Sequence, residues 1–194
     1  MERTMIAGAI KMFIAMIGLG VVIGGVIVWT GAYNVAATEP HYAMTVSLFA
    51  TVRDRAISIR ANGITPPPGW PESADLKEGF RSYHEMCVVC HAAPGVKDSV
   101  VRNGLNPEPP KLTENRVRQR TDAELFWIIT HGIKMSGMPA FGPTHTENDI
   151  WEVVAFLRRL GTMQPTEYND LLEQSELRAQ VVPAAHNHRM EGLR

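Results

Sequence analysis

Both cysteines of this 194-residue chain lie in one short stretch, EMCVVCHAAPG, where two residues separate Cys87 from Cys90 and His91 follows directly. This spacing is typical of redox dithiols, of zinc sites and of covalent haem attachment. A four-thiolate zinc site would need two more cysteines. A site that adds His84 or His131 lacks the spacing of a zinc finger. A thioredoxin-like dithiol would need a preceding strand, whereas the surrounding sequence predicts helix.

The histidine after Cys90 favours the third possibility, because Cys-x-x-Cys-His is the attachment signature of c-type haem. Two thiols about one helical turn apart can add to the two vinyl groups of a porphyrin, and the next residue offers its imidazole to the iron. The sequence therefore predicts one haem c, bound covalently through Cys87 and Cys90, with His91 as an iron ligand.

A second iron ligand is predicted in the glycine- and proline-rich stretch HGIKMSGMPAFGP, which begins at His131. Methionine sulfur is a soft, neutral ligand that raises the reduction potential of haem iron. Met138 is favoured because Gly137 and Pro139 restrict the shape of the loop around it. Met135, a histidine or an open site are the alternatives, and His131 is interpreted as the end of a helix.

The two motifs together, CVVCH and then GMPAFG about fifty residues later, resemble those of a class I c-type cytochrome. The resemblance covers residues 73–162. It implies a small helical domain that encloses one covalent haem and carries electrons.

Further positions carry the same resemblance. Gly79 and Tyr83 stand where the family has a glycine and an aromatic residue, on an N-terminal helix that crosses the C-terminal helix. The resemblance implies an apolar and an aromatic partner on the last helix, and Val153 and Phe156 suit these roles. The sequence departs from the family at Ala92, where glycine is frequent. This departure leaves open which carbonyl group orients the haem histidine.

Local signals independently predict two helices, each begun by a threonine with an acidic residue three positions later and ended by a glycine. These residues are Thr121, Glu124 and Gly132 for the first helix and Thr146, Asp149 and Gly161 for the second. The predicted buried faces consist of Leu125, Phe126, Ile128 and Ile129 in the first helix and Ile150, Val153, Val154 and Leu157 in the second. Three prolines within residues 106–110 predict a loop along the haem edge.

The N-terminal segment predicts a membrane anchor. Residues 12–30 are nineteen consecutive uncharged residues, enough at about 1.5 Å per residue to cross a hydrocarbon core of about 30 Å. This length favours an uncleaved span over a signal peptide, although small residues at positions 35–37 suit cleavage. Arg3 and Lys11 precede the span and Glu39 follows it. The positive-inside rule therefore places the N-terminus in the cytoplasm and the haem domain in the periplasm, on the inner membrane.

The predicted architecture is all-α and has four parts. Residues 1–37 form the cytoplasmic N-terminus and the transmembrane anchor, residues 38–72 an amphipathic helix and a proline-rich linker, residues 73–162 the cytochrome c domain, and residues 163–194 a C-terminal helix and tail. The amphipathic helix is expected at residues 41–61, with Met44, Leu48, Val52 and Ile59 on one side. It could lie on the membrane, cover its own domain or dock a partner subunit. The C-terminal helix is expected at residues 166–180.

Composition restricts the function further. Acidic and basic residues balance across residues 73–162, and the chain has no phosphate loop and no nucleic-acid motif. Haem iron with both His91 and Met138 as ligands leaves no position for a substrate, so the resemblance implies an electron carrier, and we expect no catalytic residues. Its predicted partners are the lipid membrane and redox proteins, with a dehydrogenase as donor and an oxidase or reductase as acceptor. It would work as a free protein or as a subunit of a respiratory complex. The alternative is a haem enzyme or gas sensor, which would need a displaceable ligand at Met138.

Overall fold

The computed structural model describes residues 2–175 of the chain, and within these residues it contains helices and no β-strand. The predicted all-α class is therefore confirmed. The chain divides into two compact units, Met1–Pro40 and His41–Arg194.

The first unit is built on one long helix, α1 (Glu2–Thr30). Its side chains from Met5 onward are exposed, and Met5–Thr30 is long and apolar enough to cross a membrane. The Thr30 hydroxyl donates a hydrogen bond to the Val26 carbonyl oxygen at 2.7 Å, which satisfies its polar group within the helix. These features make α1 a possible membrane anchor, as the uncharged run predicts.

The second unit begins with α2 (Ala43–Ala61), which packs against α7 (Asp122–His131). Its buried residues are Ile57 and Ala61, one turn apart near the C-terminal end. Arg120 next to α7 forms an ion pair with Asp54, which holds the same end of the helix. The apolar side expected from the sequence is exposed, at Met44, Leu48, Val52 and Ile59. Amphipathic spacing thus predicted the helix, and of the three possible contact surfaces the domain accounts only for the end of the helix at Ile57 and Ala61.

Seven further helical segments follow α2 in addition to α7. They are α3 (Leu76–Ser82), a π-helical turn (Tyr83–Cys87), α4 (Val88–His91), α5 (Val100–Gly104), α6 (Asn115–Arg118), α8 (Glu147–Leu160) and α9 (Pro165–Gln174). Both predicted capping boxes are present, at Thr121 with Glu124 and at Thr146 with Asp149. The predicted buried faces are also present, except that Ile128 is only partly buried.

The core forms where α3 crosses α8. A Cβ atom at Gly79 would lie 2.3 Å from the Glu152 carbonyl oxygen and 3.1 Å from Phe156 Cβ, so only glycine allows this approach. The ring centroids of Tyr83 and Phe156 are 5.4 Å apart. The crossing and the role of Phe156 agree with the resemblance. The atoms nearest to a Cβ at Gly79, however, belong to Glu152 and Phe156, and Val153 is a buried residue of the same core.

Segments on both sides of this crossing join the same core. The Trp70 indole N–H donates to the Trp151 carbonyl oxygen at 3.2 Å, so the proline-rich stretch ends in a packed side chain. The C-terminal helix α9 buries Tyr168 completely and begins one residue before the predicted start. The end of that prediction, residues 176–180, lies outside the described residues.

Candidate haem site

The two cysteines lie where the π-helical turn changes into α4. Cys87 ends the turn, and Cys90 and His91 occupy the last two positions of α4. Both cysteines are partly buried and form no disulfide with each other. Burial, followed by the effect of Cys90, raises the pKa of the Cys87 thiol to about 12. Cys87 is packed against the hydrophobic core cluster.

His91 is oriented by a backbone carbonyl group. Its Nδ1–H donates to the Pro110 carbonyl oxygen at 2.7 Å. A carbonyl oxygen can only accept, so this bond fixes the tautomer and leaves the lone pair of Nε2 for a metal. Burial lowers the pKa of His91, and the hydrogen bond to Pro110 partly opposes this. The imidazole is thus neutral at neutral pH, which is the form that binds iron. Pro110 supplies the carbonyl that the sequence left open.

Arg102, which the sequence did not single out, connects the two segments that meet at this hydrogen bond. Its side chain is only 3% exposed. One terminal nitrogen, Nη1, donates to the Cys90 carbonyl oxygen at 3.0 Å and also to the Pro109 carbonyl oxygen. The other, Nη2, donates to the Glu108 carboxylate. Because Cys90 and Pro109 directly precede His91 and Pro110, one guanidinium holds both sides of the His91–Pro110 hydrogen bond.

Ala92 ends α4 in an unusual conformation. Its φ is 57° and its ψ is −178°, a region that residues with a Cβ atom rarely adopt. The Tyr83 hydroxyl donates to the Ala92 carbonyl oxygen from inside the core. Burial raises the pKa of Tyr83 well above its usual range, so the hydroxyl stays protonated and remains a donor. The alanine that departs from the family pattern is therefore strained and is held by a core tyrosine.

The second predicted ligand lies in the loop after α7. The helix ends at His131, as expected, and Gly132 follows with φ 64°. The Ile133 amide donates to the Met138 carbonyl oxygen at 3.2 Å and closes the loop. Met138 is partly buried and packs against the core cluster that Cys87 also contacts, whereas Met135 is 91% exposed. The packing thus distinguishes the two methionines in the direction that their flanking residues predict.

The remaining histidines of the zinc alternatives have other partners. His84 Nδ1 lies 2.9 Å from the Tyr168 hydroxyl oxygen, and both side chains are buried. The His131 ring lies 4.8 Å from the Trp127 ring. The pairing of His84 with Tyr168 fastens α9 beside the haem motif, and nothing in the local sequence indicates this contact.

Comparison with protein families agrees with this geometry. Residues 74–157 match the family model described as cytochrome c oxidase, cbb3-type, subunit III. The matched range includes both cysteines, His91 and Met138. The chain carries a c-type cytochrome domain. Comparison with curated proteins gave no match.

The residues of this cytochrome domain fit haem c. A c-type domain implies this group, and its chemistry when bound is reversible one-electron exchange at the iron. The chain offers two thiols about one helical turn apart, a neutral imidazole of fixed tautomer and a partly buried thioether. These are the donor types that attach haem c and ligate its iron.

Proposed function

We propose that the protein is a membrane-anchored monohaem cytochrome that carries single electrons between redox proteins. The observation that carries this proposal is the difference between Met138, which packs against the core shared with Cys87, and Met135, which is 91% exposed. A partly buried thioether supports a firm second iron ligand in addition to His91. Iron with two protein ligands has no free position for a substrate, which favours electron transfer over catalysis or gas sensing.

Each site residue has a defined task in this proposal. Cys87 and Cys90 hold the single haem through thioether bonds, and His91 and Met138 ligate its iron. The hydrogen bond from His91 to Pro110 keeps the imidazole in the ligating tautomer. The methionine thioether favours the reduced iron, because it is a poor ligand for the ferric state.

The proposed setting is the periplasmic face of the inner membrane, with Met5–Thr30 as a single-pass anchor and the N-terminus in the cytoplasm. The four parts predicted from the sequence, with boundaries after residues 37, 72 and 162, describe this arrangement. The family of the matched model is an oxidase subunit, which supports redox partners within a respiratory complex. We propose a dehydrogenase as donor and an oxidase or reductase as acceptor.

Replacement of the sixth ligand tests the function. We expect Met138→Ala to abolish the weak sulfur-to-iron absorption of the oxidised protein and to lower its reduction potential, since water or a nitrogen ligand stabilises ferric iron better. The variant should also bind carbon monoxide when reduced, whereas the wild type should resist it. Met135→Ala is the matched control and should change neither property.

The opposite result would favour the alternative function. If the reduced wild type binds carbon monoxide completely and rapidly, and shows no thioether absorption, the sixth position is open or easily displaced. The protein would then be a haem enzyme or gas sensor.

A further inference from the structure

The beginning of α2 exposes an unusual concentration of apolar side chains. Half of the large apolar side chains that are exposed within residues 41–175 lie in the eleven residues 42–52. They are Tyr42, Met44, Val46, Leu48, Phe49 and Val52. An exposed cluster of this kind is typical of a surface that contacts another apolar phase.

These side chains surround the helix and do not form a single stripe. At about 100° per residue, Met44 and Val46 point about 160° apart, and both are exposed. The polar residues among them are small, and the Thr51 hydroxyl donates to the Ser47 carbonyl oxygen at 2.9 Å. A protein groove covers one side of a helix, whereas a lipid phase covers every side that the protein leaves free. The distribution therefore fits lipid better than a groove.

The charged residues of α2 are confined to the second half of the helix. Residues 40–52 contain no Asp, Glu, Lys or Arg. Three arginines and one acidic residue follow them: Arg53, Asp54, Arg55 and Arg60, of which Asp54 pairs with Arg53. Basic residues beside an apolar segment suit anionic lipid headgroups. The charged half of α2 is also the half that packs on the cytochrome domain, through Ile57 and Ala61. Only the uncharged half is left without a covering surface in the second unit.

The connection to α1 supplies the reason for a membrane partner. Residues 31–42 join the possible anchor to α2, and Glu39 is their single residue of the types Asp, Glu, Lys and Arg. This connection can extend by at most about 3.5 Å per residue. If α1 spans a bilayer, the length of the connection therefore limits the distance between the end of α1 and the start of α2. The uncharged half of α2 is therefore tethered within reach of the lipid surface.

We propose that residues 42–52 insert into the interface of the same bilayer as a second membrane contact, with Arg53 and Arg55 at the headgroups. The proposal rests on the proposed anchor. Its consequence is functional, because two contacts restrict rotation of the cytochrome domain about its tether. The haem edge would then face its redox partners in a defined orientation.

Photocrosslinking tests the contact in the complete protein. The haem-loaded full chain would carry p-benzoylphenylalanine at one position and be reconstituted into vesicles of phosphatidylcholine and phosphatidylglycerol. Leu48 is the test position. Ile59 is the matched control, since it is a similarly exposed apolar residue of the same helix but lies in the packed half. Val22 reports on the anchor itself. An unchanged haem spectrum would show that each variant is folded.

We expect lipid adducts, identified by mass spectrometry, at Leu48 and Val22 and not at Ile59. Adducts at Val22 with none at Leu48 would overturn the interfacial contact and leave the anchor intact. Crosslinks from Leu48 to a second copy of the chain would assign the surface to a protein contact and would also overturn the proposal. Absence of lipid adducts at both Val22 and Leu48 would overturn the anchor together with the contact.

Discussion

Helices α4 and α7 lead to the two proposed iron ligands and end in nearly the same backbone conformation. Ala92, which follows α4, has φ 57° and ψ −178°, and Gly132, which follows α7, has φ 64° and ψ −169°. Glycine adopts this region at little cost, whereas an alanine is strained there by about 1–3 kcal/mol. The histidine side of the site therefore holds strain that the methionine side avoids.

The two sides are also stabilised by different means. Side-chain hydrogen bonds fix the histidine side, where Tyr83 holds Ala92 and Arg102 holds the segment of Pro110. Close backbone packing fixes the methionine side, because a Cβ atom at Gly132 would lie 2.6 Å from the Pro139 carbonyl carbon. Strain at Ala92 is tolerated because several independent bonds determine its position. Different substitutions should consequently break the two sides.

The largest effect is expected at the cysteines of the histidine side. Cys87→Ser and Cys90→Ser should each sharply lower the yield of protein with covalent haem, because a small helical domain depends on the apolar surface of the haem. Mass spectrometry of the denatured protein would measure the retained haem. Val89→Ala, an exposed position between the two cysteines, is the control and should keep full yield. Undiminished, normally folded haem protein from both serine variants would contradict the assignment.

The sequence predicted those parts of the site that depend on neighbouring residues. The Cys-x-x-Cys-His motif, both capping boxes and the glycine-flanked Met138 each lie within a few residues, so their chemistry is visible in the printed chain. His84 and Tyr168 are 84 positions apart, and the burial of Arg102 depends on how residues 106–110 return to α4. Contacts of this kind arise only from the tertiary fold.

The exposed face of α2 illustrates a related limit. The helical spacing of Met44, Leu48 and Val52 predicts a helix, but periodicity does not identify the surface that covers it. The domain instead contacts α2 through Ile57 and Ala61. Which part of α2 is buried is therefore decided by packing at its C-terminal end.

The two helix ends provide the second largest effect. Gly132→Ala should lower the free energy of unfolding by about 3 kcal/mol, since it adds backbone strain and a clash with residues 138–139. Ala92→Gly, in the same conformation, should change it by less than about 1 kcal/mol, because relief of strain is offset by the greater freedom of the unfolded chain. Urea unfolding of the haem protein would measure both.

Gly104→Ala serves as a control for the helix ends, because nothing lies within 4 Å of the added methyl group. This substitution should leave the free energy of unfolding within about 1 kcal/mol of the wild type. Wild-type stability of Gly132→Ala would show that close backbone packing does not hold the methionine side.

A smaller effect is expected from the arginine that holds the histidine side. Arg102→Met removes the hydrogen bonds to the Cys90 and Pro109 carbonyl groups and should cost about 2–3 kcal/mol of unfolding free energy. Arg116→Met is the matched control. Arg116 pairs only with Glu114 among the described residues and is largely exposed, so its loss should cost less than about 1 kcal/mol. Equal costs for the two variants would mean that Arg102 does not join the two segments.

The smallest effect concerns the pH dependence of protein stability, and it involves the buried His84 near the haem motif. Burial lowers the pKa of His84, against a weaker opposing effect of the Glu85 carboxylate. The unfolded chain therefore binds a proton at a higher pH than the folded protein does. The contribution of neutral His84 to stability is fully present above the pKa of histidine in the unfolded chain, about 6.5. It is lost as the pH falls through the lower pKa of His84 in the folded state. The thermal midpoint of the wild type should decrease over this range.

His84→Gln keeps a polar side chain at this position but cannot titrate, so its midpoint should decrease less between pH 7.5 and pH 5. The other titratable groups contribute equally to both proteins, and the difference isolates His84. Tyr168→Phe is the matched control. It removes the hydroxyl partner at 2.9 Å and should cost about 1 kcal/mol at neutral pH. It should nevertheless keep the wild-type pH dependence, because burial of His84 is the main cause of its lowered pKa. Equal pH dependence in His84→Gln and the wild type would exclude His84 as the titrating group.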